Sequence, residues 1–215
     1  MKLKLILSLP KTLYFNLRIF DFKTALKMPI IVSYDTKISS IHKGCISFEA
    51  PVRRGMVEIG ITSLDGVSSY RKNYVRIGIN GHIVFKEDAY FASGSLINVD
   101  QGNLTIGKKF IANNNFYISC NDIITIGDNV LIGWCCNILD TDNHKVTGIK
   151  RNKKQGISIG NHVWLGAYCD LLKGTVIHDN SIIGYRSMTN KDYIESHALV
   201  AGHPAKIIQT GVNWE

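Results

Sequence analysis

The sequence predicts an all-β solenoid, a coil in which every turn carries three short flat faces. Three observations predict it. From Ile159, steps of six reach Leu165, Leu171, Ile177 and Ile183, all aliphatic. Four residues after each stand Val163, Cys169, Thr175, Ser181 and Ser187, all small or β-branched. The same phase recurs upstream in Ile126–Ile132–Ile138, in Ile106–Ala112–Ile118 and, more weakly, in Phe85–Phe91–Ile97, blocks that start 20 and 21 residues apart. An α-helix repeats its apolar stripe about every 3.6 residues, and a half-buried strand alternates about every two. A period of six suits a flat face whose aliphatic side chain points to the axis. A small residue then fits the tight corner, and stacked coils share one continuous core.

The elements follow in order. Residues 1–30 fit the repeat poorly. Leu13, Leu17, Phe20 and Leu26 fall at loosely helical spacing before Pro29, which predicts a capping segment over the first open coil. Its start resembles a signal peptide only in part: the apolar run is short, Pro10 interrupts it and no small-residue cleavage site follows, so it is read as part of the mature protein. A helix lying on a membrane surface is the sharper reading of this segment. From 31 to 84 the repeat is degenerate and imperfect coils are expected, with Gly60, Gly78 and Gly81 at turns. The solenoid is placed at 31–203, with an inserted loop at 139–156. Residues 204–215, which include AKIIQTG, are expected to form a short helix and tail.

Composition sets outer bounds. With 215 residues, 45% hydrophobic and 20% charged, one globular domain is expected. Five cysteines without paired spacing point to thiols in a reducing, cytoplasmic compartment rather than to a disulfide framework. No C-x-x-C or histidine pair suggests zinc, and no metal is expected. The net charge of +8 points to a polyanionic partner. Nucleic acid ranks last, because no recognised nucleic-acid motif accompanies the charge.

The interruption carries the chemistry. From Ile138 the phase should continue at 144, yet it resumes at 159, so DTDNHKVTGIKRNKKQG stands inside an otherwise regular repeat. A long polar loop in a solenoid points to function. His144 has the titration range of a general base. Either Asp142 or Asp140 could accept the proton of its other ring nitrogen and hold the tautomer. Lys145, Lys150, Arg151, Lys153 and Lys154 follow as a basic cluster, by default a solvated charge run.

The repeat, this loop and the ending together resemble the hexapeptide-repeat acyltransferases, in particular bacterial sugar and surface-polysaccharide O-acetyltransferases. The resemblance is densest over the terminal third, from V-W-L-G at 163–166 to A-G-H-P-A-K at 201–206. It implies a left-handed parallel β-helix, although general chirality rules favour right-handed crossovers. It also implies a homotrimer with sites between subunits, acetyl-CoA as co-substrate and a carbohydrate acceptor. Trp164 is implied to lie near the acetyl group or the catalytic histidine. Gly166 and the backbone of Ala167 and Tyr185 are implied along the pantetheine arm. Asn190 and Lys191 are implied near the cofactor, and Lys206 at its phosphates. Trp134 and Asn137, shortly before the loop, are expected to meet the acceptor, with a core or corner role as the plainer reading of Trp134. N-acetylation of an amino sugar and a non-catalytic β-helical scaffold are the alternatives. The expected setting is the bacterial cytoplasm, with peripheral contact at the inner membrane face as a further option.

Overall fold

The computed structural model describes residues 2–62, 69, 71–144, 147–148 and 155–215. The chain winds into a left-handed parallel β-helix with three sheets, one per face of a triangular prism. Face one is a nine-stranded sheet that starts at Ile30–Val32, and faces two and three have seven strands each. The six-residue phase of the sequence becomes register in space. Phe91, Ala112, Ile132, Leu165 and Ile183 stack on face one. Ile97, Ile118, Ile138 and Leu171 stack on face two. Phe85, Ile106, Ile126, Ile159 and Ile177 stack on face three. All these side chains are buried, and so are the small residues Val163, Cys169, Thr175, Ser181 and Ser187 at the corners.

The stretch expected to hold imperfect coils is regular along its strands. Val57–Ile59, Tyr74–Ile77 and His82–Phe85 pair in the same parallel registers as the later coils. The irregularity of the sequence there comes from longer faces, on which two residues point inward. Val75 with Ile77 and Ile83 with Phe85 are such pairs, and all four are buried. Extra length on this stretch leaves at corners, between Ile46–Phe48 and Val57–Ile59 and between Val57–Ile59 and Tyr74–Ile77. Phe85, Phe91, Phe110 and Phe116 fill the wider interior, with neighbouring rings 5.3–6.4 Å apart.

Two helices precede the first strand, β1 (Ile30–Val32): α1 (Lys2–Ile19), with Pro10 inside it, and α2 (Phe22–Leu26), capped by Asp21. A strand that begins a sheet leaves a row of unpaired N–H and C=O groups. Here α1 supplies their partners from side chains. Asn16 accepts from the Ile30 N–H (3.2 Å) and donates to the Ile30 carbonyl (2.7 Å). Thr12 Oγ1 accepts from the Val32 N–H (3.1 Å), and Ser8 Oγ accepts from the Tyr34 N–H (3.0 Å). The spacing explains the fit: four helical residues rise about 6.0 Å, and two extended residues span about 6.6 Å. Ser8, Thr12 and Asn16 are consequently buried.

The opposite end of face one corrects an expectation. Residues 205–210 form no helix; Ala205–Thr210 is a strand antiparallel to Ala198–Gly202. The helix reading rested on a few good helix formers and overlooked Ile207, Ile208 and Thr210, whose branched side chains favour a strand. The edge of Ala198–Gly202 also needs hydrogen-bonding partners, and the extended final segment supplies them by continuing the ladder.

Asn16→Ala should lower stability by about 1–3 kcal/mol, because a buried N–H and C=O of β1 lose their partner. The check is the midpoint of denaturant unfolding, and an unchanged midpoint would show that α1 does not satisfy this edge. Leu165→Ala should cost about 2–5 kcal/mol in the same assay, as a large-to-small change within the shared core.

Candidate functional site

Each coil turns three corners, and at two of them a non-glycine residue with positive φ recurs from coil to coil. At the corner from face one to face two these are Asn115, Cys135, Tyr168 and Arg186. At the corner from face three back to face one they are Lys109, Asn129, His162, Asn180 and His197. Non-glycine residues adopt this conformation at a cost of about 1–2 kcal/mol, offset here by main-chain bonds between coils. The N–H of Tyr168 donates to the Trp134 carbonyl (2.7 Å), and the N–H of His162 donates to the Asp128 carbonyl (2.7 Å).

The two corners differ in what happens to the amide just before the positive-φ residue. At the three-to-one corner a side chain from the next coil accepts it. Lys108 N–H donates to Asp128 (2.8 Å), Asp128 N–H to Asn161 (2.8 Å) and Asn161 N–H to Asp179 (2.7 Å). At the one-to-two corner the equivalent residues are Trp134, Ala167 and Tyr185, and none of their side chains accepts from a neighbouring amide. Among the described residues, the N–H groups of these three have no acceptor. One corner is therefore closed by an Asp/Asn ladder, and the other presents a row of open amides.

Glycines keep that row uncovered. A Cβ on Gly133 would stand 2.7 Å from the Ala167 nitrogen, and one on Gly166 would stand 2.9 Å from the Tyr185 nitrogen. Beside the row, Asn113, Leu131, Gly133, Trp134, Trp164 and Ala167 line a cleft of about 240 Å³. Trp134 and Trp164 are 40% and 39% exposed, so neither is a core residue. Further along the corner the exposed ring of Tyr185 meets Tyr168 edge-on at 5.7 Å, and the Arg186 guanidinium lies 5.5 Å from both ring centres. Trp214, in the tail, stacks on His162 at 4.4 Å and reaches to 6.3 Å from the Trp164 ring. Sequence reading missed Arg186 and Trp214. Arg186 sits where the repeat places a positive-φ corner residue, which a cation does not advertise, and Trp214 lies beyond the repeat altogether.

His144 belongs to another corner. The insertion falls between Asn137–Leu139 on face two and Ile157–Ile159 on face three. His144 is exposed there, and its N–H donates to the Asp142 carbonyl (2.7 Å). The two carboxylates expected to steer it are engaged elsewhere. Asp140 is buried, and its oxygens accept from the N–H groups of Asn121 and Asp122, each at 2.8 Å. Burial raises its pKa above the ordinary carboxylate range, and the two N–H donors oppose that rise. Asp142 forms an ion pair with Lys173 of the next coil, whose side chain is only 3% exposed. Among the described residues the His144 imidazole makes no hydrogen bond or ion pair with either carboxylate. Lys173 was not anticipated; its one signal is a cation inside the aliphatic phase, next to the positive-φ Gly174. Lys145, Lys150, Arg151, Lys153 and Lys154 lie outside the described residues.

The remaining candidates are scattered. Asn137, on the outer side of face two, donates to Asp170 (2.7 Å). Asn190 and Lys191 are exposed at the two-to-three corner, where the Lys191 ammonium lies 5.5 Å from the Tyr193 ring. Lys206 is exposed on the final strand. One chain thus brings Trp134, Trp164, Gly166, Ala167 and Tyr185 together along one corner. It holds His144 across the width of face two, a separation on the order of 10 Å or more for three extended residues and their turns.

Residues 156–191 match the family model described as bacterial transferase hexapeptide (six repeats). The galactoside O-acetyltransferase of Escherichia coli K12 is 32% identical over 145 residues, 66% of each chain. An uncharacterized 24.8 kDa protein in the cps region of Klebsiella pneumoniae is 24% identical over 200 residues, 92% of this chain and 86% of that one. The first relatives are matched over 41% to 66% of their own length. The crystal structure of the polySia-specific acetyltransferase NeuO shares the fold, with a TM-score of 0.61 at 21% identity, over 86% of this chain and 78% of that one.

Asp142→Ala removes the carboxylate that faces the buried Lys173 ammonium. It should cost roughly 2–4 kcal/mol, as expected when a buried ammonium loses its partially exposed carboxylate partner. Thermal unfolding checks this, and a melting temperature equal to that of the unmodified protein would mean the pair is held in solvent.

Proposed function

Because the chain belongs to the hexapeptide-repeat transferase family, we propose that it moves an acetyl group from acetyl-CoA to a hydroxyl of a saccharide, with His144 as general base. The observation that carries this reading is the row of open amides at Trp134, Ala167 and Tyr185 beside the two-tryptophan cleft. A pantetheine arm is an extended chain with two amides, and a line of unpaired N–H groups offers its carbonyls ready partners. Trp164 and Trp134 give the cleft apolar walls for the acetyl thioester and the face of a sugar. Arg186, Lys191 and Lys206 are exposed cations suited to the phosphates of the cofactor. Asn190 lies beside Lys191 and Asn137 on the face toward the acceptor. The galactoside acetyltransferase relative supports a sugar hydroxyl as the acceptor.

In the proposed step the His144 imidazole takes the proton of the acceptor hydroxyl as that oxygen attacks the thioester carbonyl. The new C–O bond forms, the oxyanion collapses, the C–S bond breaks, and the proton passes from imidazolium to the departing thiolate. The Ala167 N–H, which has no acceptor within the chain, can stabilise the oxyanion. Much of the rate then comes from holding two substrates in reacting geometry. Since His144 and the cleft occupy different corners of one chain, the reading places the reaction where the His144 corner of one subunit meets the open corner of its neighbour, in a homotrimer. Asp140 serves as the lock of the preceding turn. Asp142, tied to Lys173, positions the stretch of chain that carries His144.

The test is acceptor-dependent release of CoA, detected chromatographically across a panel of sugars and oligosaccharides. His144→Ala should lower release by roughly 100-fold or more, the usual scale for a general base, while acetyl-CoA binding persists. Release unaffected by the substitution would overturn the role of His144. Failure to bind acetyl-CoA at all would overturn the transferase reading in favour of a scaffold.

A further inference from the structure

Helix α1 leaves a broad apolar stripe exposed, where an ordinary surface helix buries it. Its inward side carries Phe15 and Ile19, which join the core, together with Ser8, Thr12 and Asn16, committed to the edge of β1. Its outward side carries Leu3, Ile6, Leu7, Leu13, Tyr14 and Leu17, which are 37–69% exposed. At about 100° per residue these six span an outward arc about 120° wide, in which Pro10 also falls. Arg18, Lys11 and Lys4 border one margin of that arc; Arg18 is exposed, while the ammonium of Lys11 donates to the Tyr34 and Thr36 carbonyls and that of Lys4 lies 3.5 Å from Ser93 Oγ. Residues 1–27 hold six basic side chains and one acidic one, Asp21, and α1 itself has none of the latter. Exposed Phe22 and Leu26 on α2 add to the apolar surface.

We propose that α1 docks this protein on an anionic lipid bilayer, lying in the interface with Leu3, Ile6, Leu7, Leu13, Tyr14 and Leu17 toward the acyl chains. The charge selects this occupant. A second copy packed through the same face would bring two basic margins together with no carboxylate on either helix. A negatively charged headgroup layer complements them, at about 1 kcal/mol for each Lys or Arg near the surface. No helix among the described residues is long and apolar enough to cross a membrane, so α1 lies on the bilayer without spanning it. The docking leaves the fold intact, because the bonds that hold α1 to β1 are all on its other side. It is independent of the acetyl-transfer reading.

The experiment is sedimentation of the full chain with vesicles of phosphatidylcholine alone, or with about one third phosphatidylglycerol. The full chain should bind the anionic vesicles at least about tenfold more strongly than the neutral ones, and more weakly as salt rises. Ile6→Glu/Leu7→Glu should lose at least about tenfold of that binding, with thermal stability and size by gel filtration unchanged. Arg18→Glu/Lys23→Glu keeps the apolar face and should bind anionic vesicles only as well as neutral ones. Absence of binding, or equal binding to both vesicle types, would overturn the proposal. So would a smaller assembly for Ile6→Glu/Leu7→Glu, which would make the face a contact between copies.

Discussion

Main-chain hydrogen bonds run from every coil to the next in fixed parallel register, and they require each paired residue of a face to keep the same partner position in the next coil. Ile132 lies over Ala112 and under Leu165 because the N–H of Leu131 donates to Val163 and that of Ile111 to Val130. A single extra residue on a face would turn its inward side chains to solvent. Additional chain can therefore leave only at a corner. The insertion with His144 leaves at the two-to-three corner, and another long excursion leaves at a one-to-two corner between Val57–Ile59 and Tyr74–Ile77. Strict register on the faces is what makes the corners available for chemistry.

The three corners then diverge through side chains alone. Asp128, Asn161 and Asp179 close one with acceptors for their neighbours' amides. Trp134, Ala167 and Tyr185 do not do so at another, and their amides remain available to a ligand. At the third, buried Asp140 and buried Lys173 anchor the start of the insertion from below and above. Each buried charge there has a partner that compensates for desolvation, as a buried ionic group requires. The loop is thus tethered to the rigid prism at its first residues.

Both ends of face one meet the problem of an unfinished sheet edge, and they solve it differently. The final strand folds back antiparallel and continues the ladder. The first strand is finished by side chains of α1, because a rise of four helical residues nearly matches two residues of strand. That second solution has a consequence for the surface. A helix that turns polar side chains to a sheet edge leaves apolar ones facing outward, and Ile6 and Leu7 are exposed for this reason.

The sequence by itself determined the solenoid, its inward residues from Phe85 to Ile183, the corner positions of Val163 to Ser187 and the location of the insertion with His144. Each is a local periodicity or a break in one, and a repeat whose contacts are all between neighbouring coils writes its architecture along the chain. Only the tertiary structure decided what Asp140, Asp142 and Lys173 do, because D-x-D-x-H has the same spacing whether its carboxylates face a histidine, a backbone turn or a lysine 31 residues away. Only the fold, likewise, decided that Ala205–Thr210 extends and that α1 leaves an apolar stripe exposed. Both depend on unpaired sheet edges, which exist once the coils have stacked and leave no trace in the order of residues.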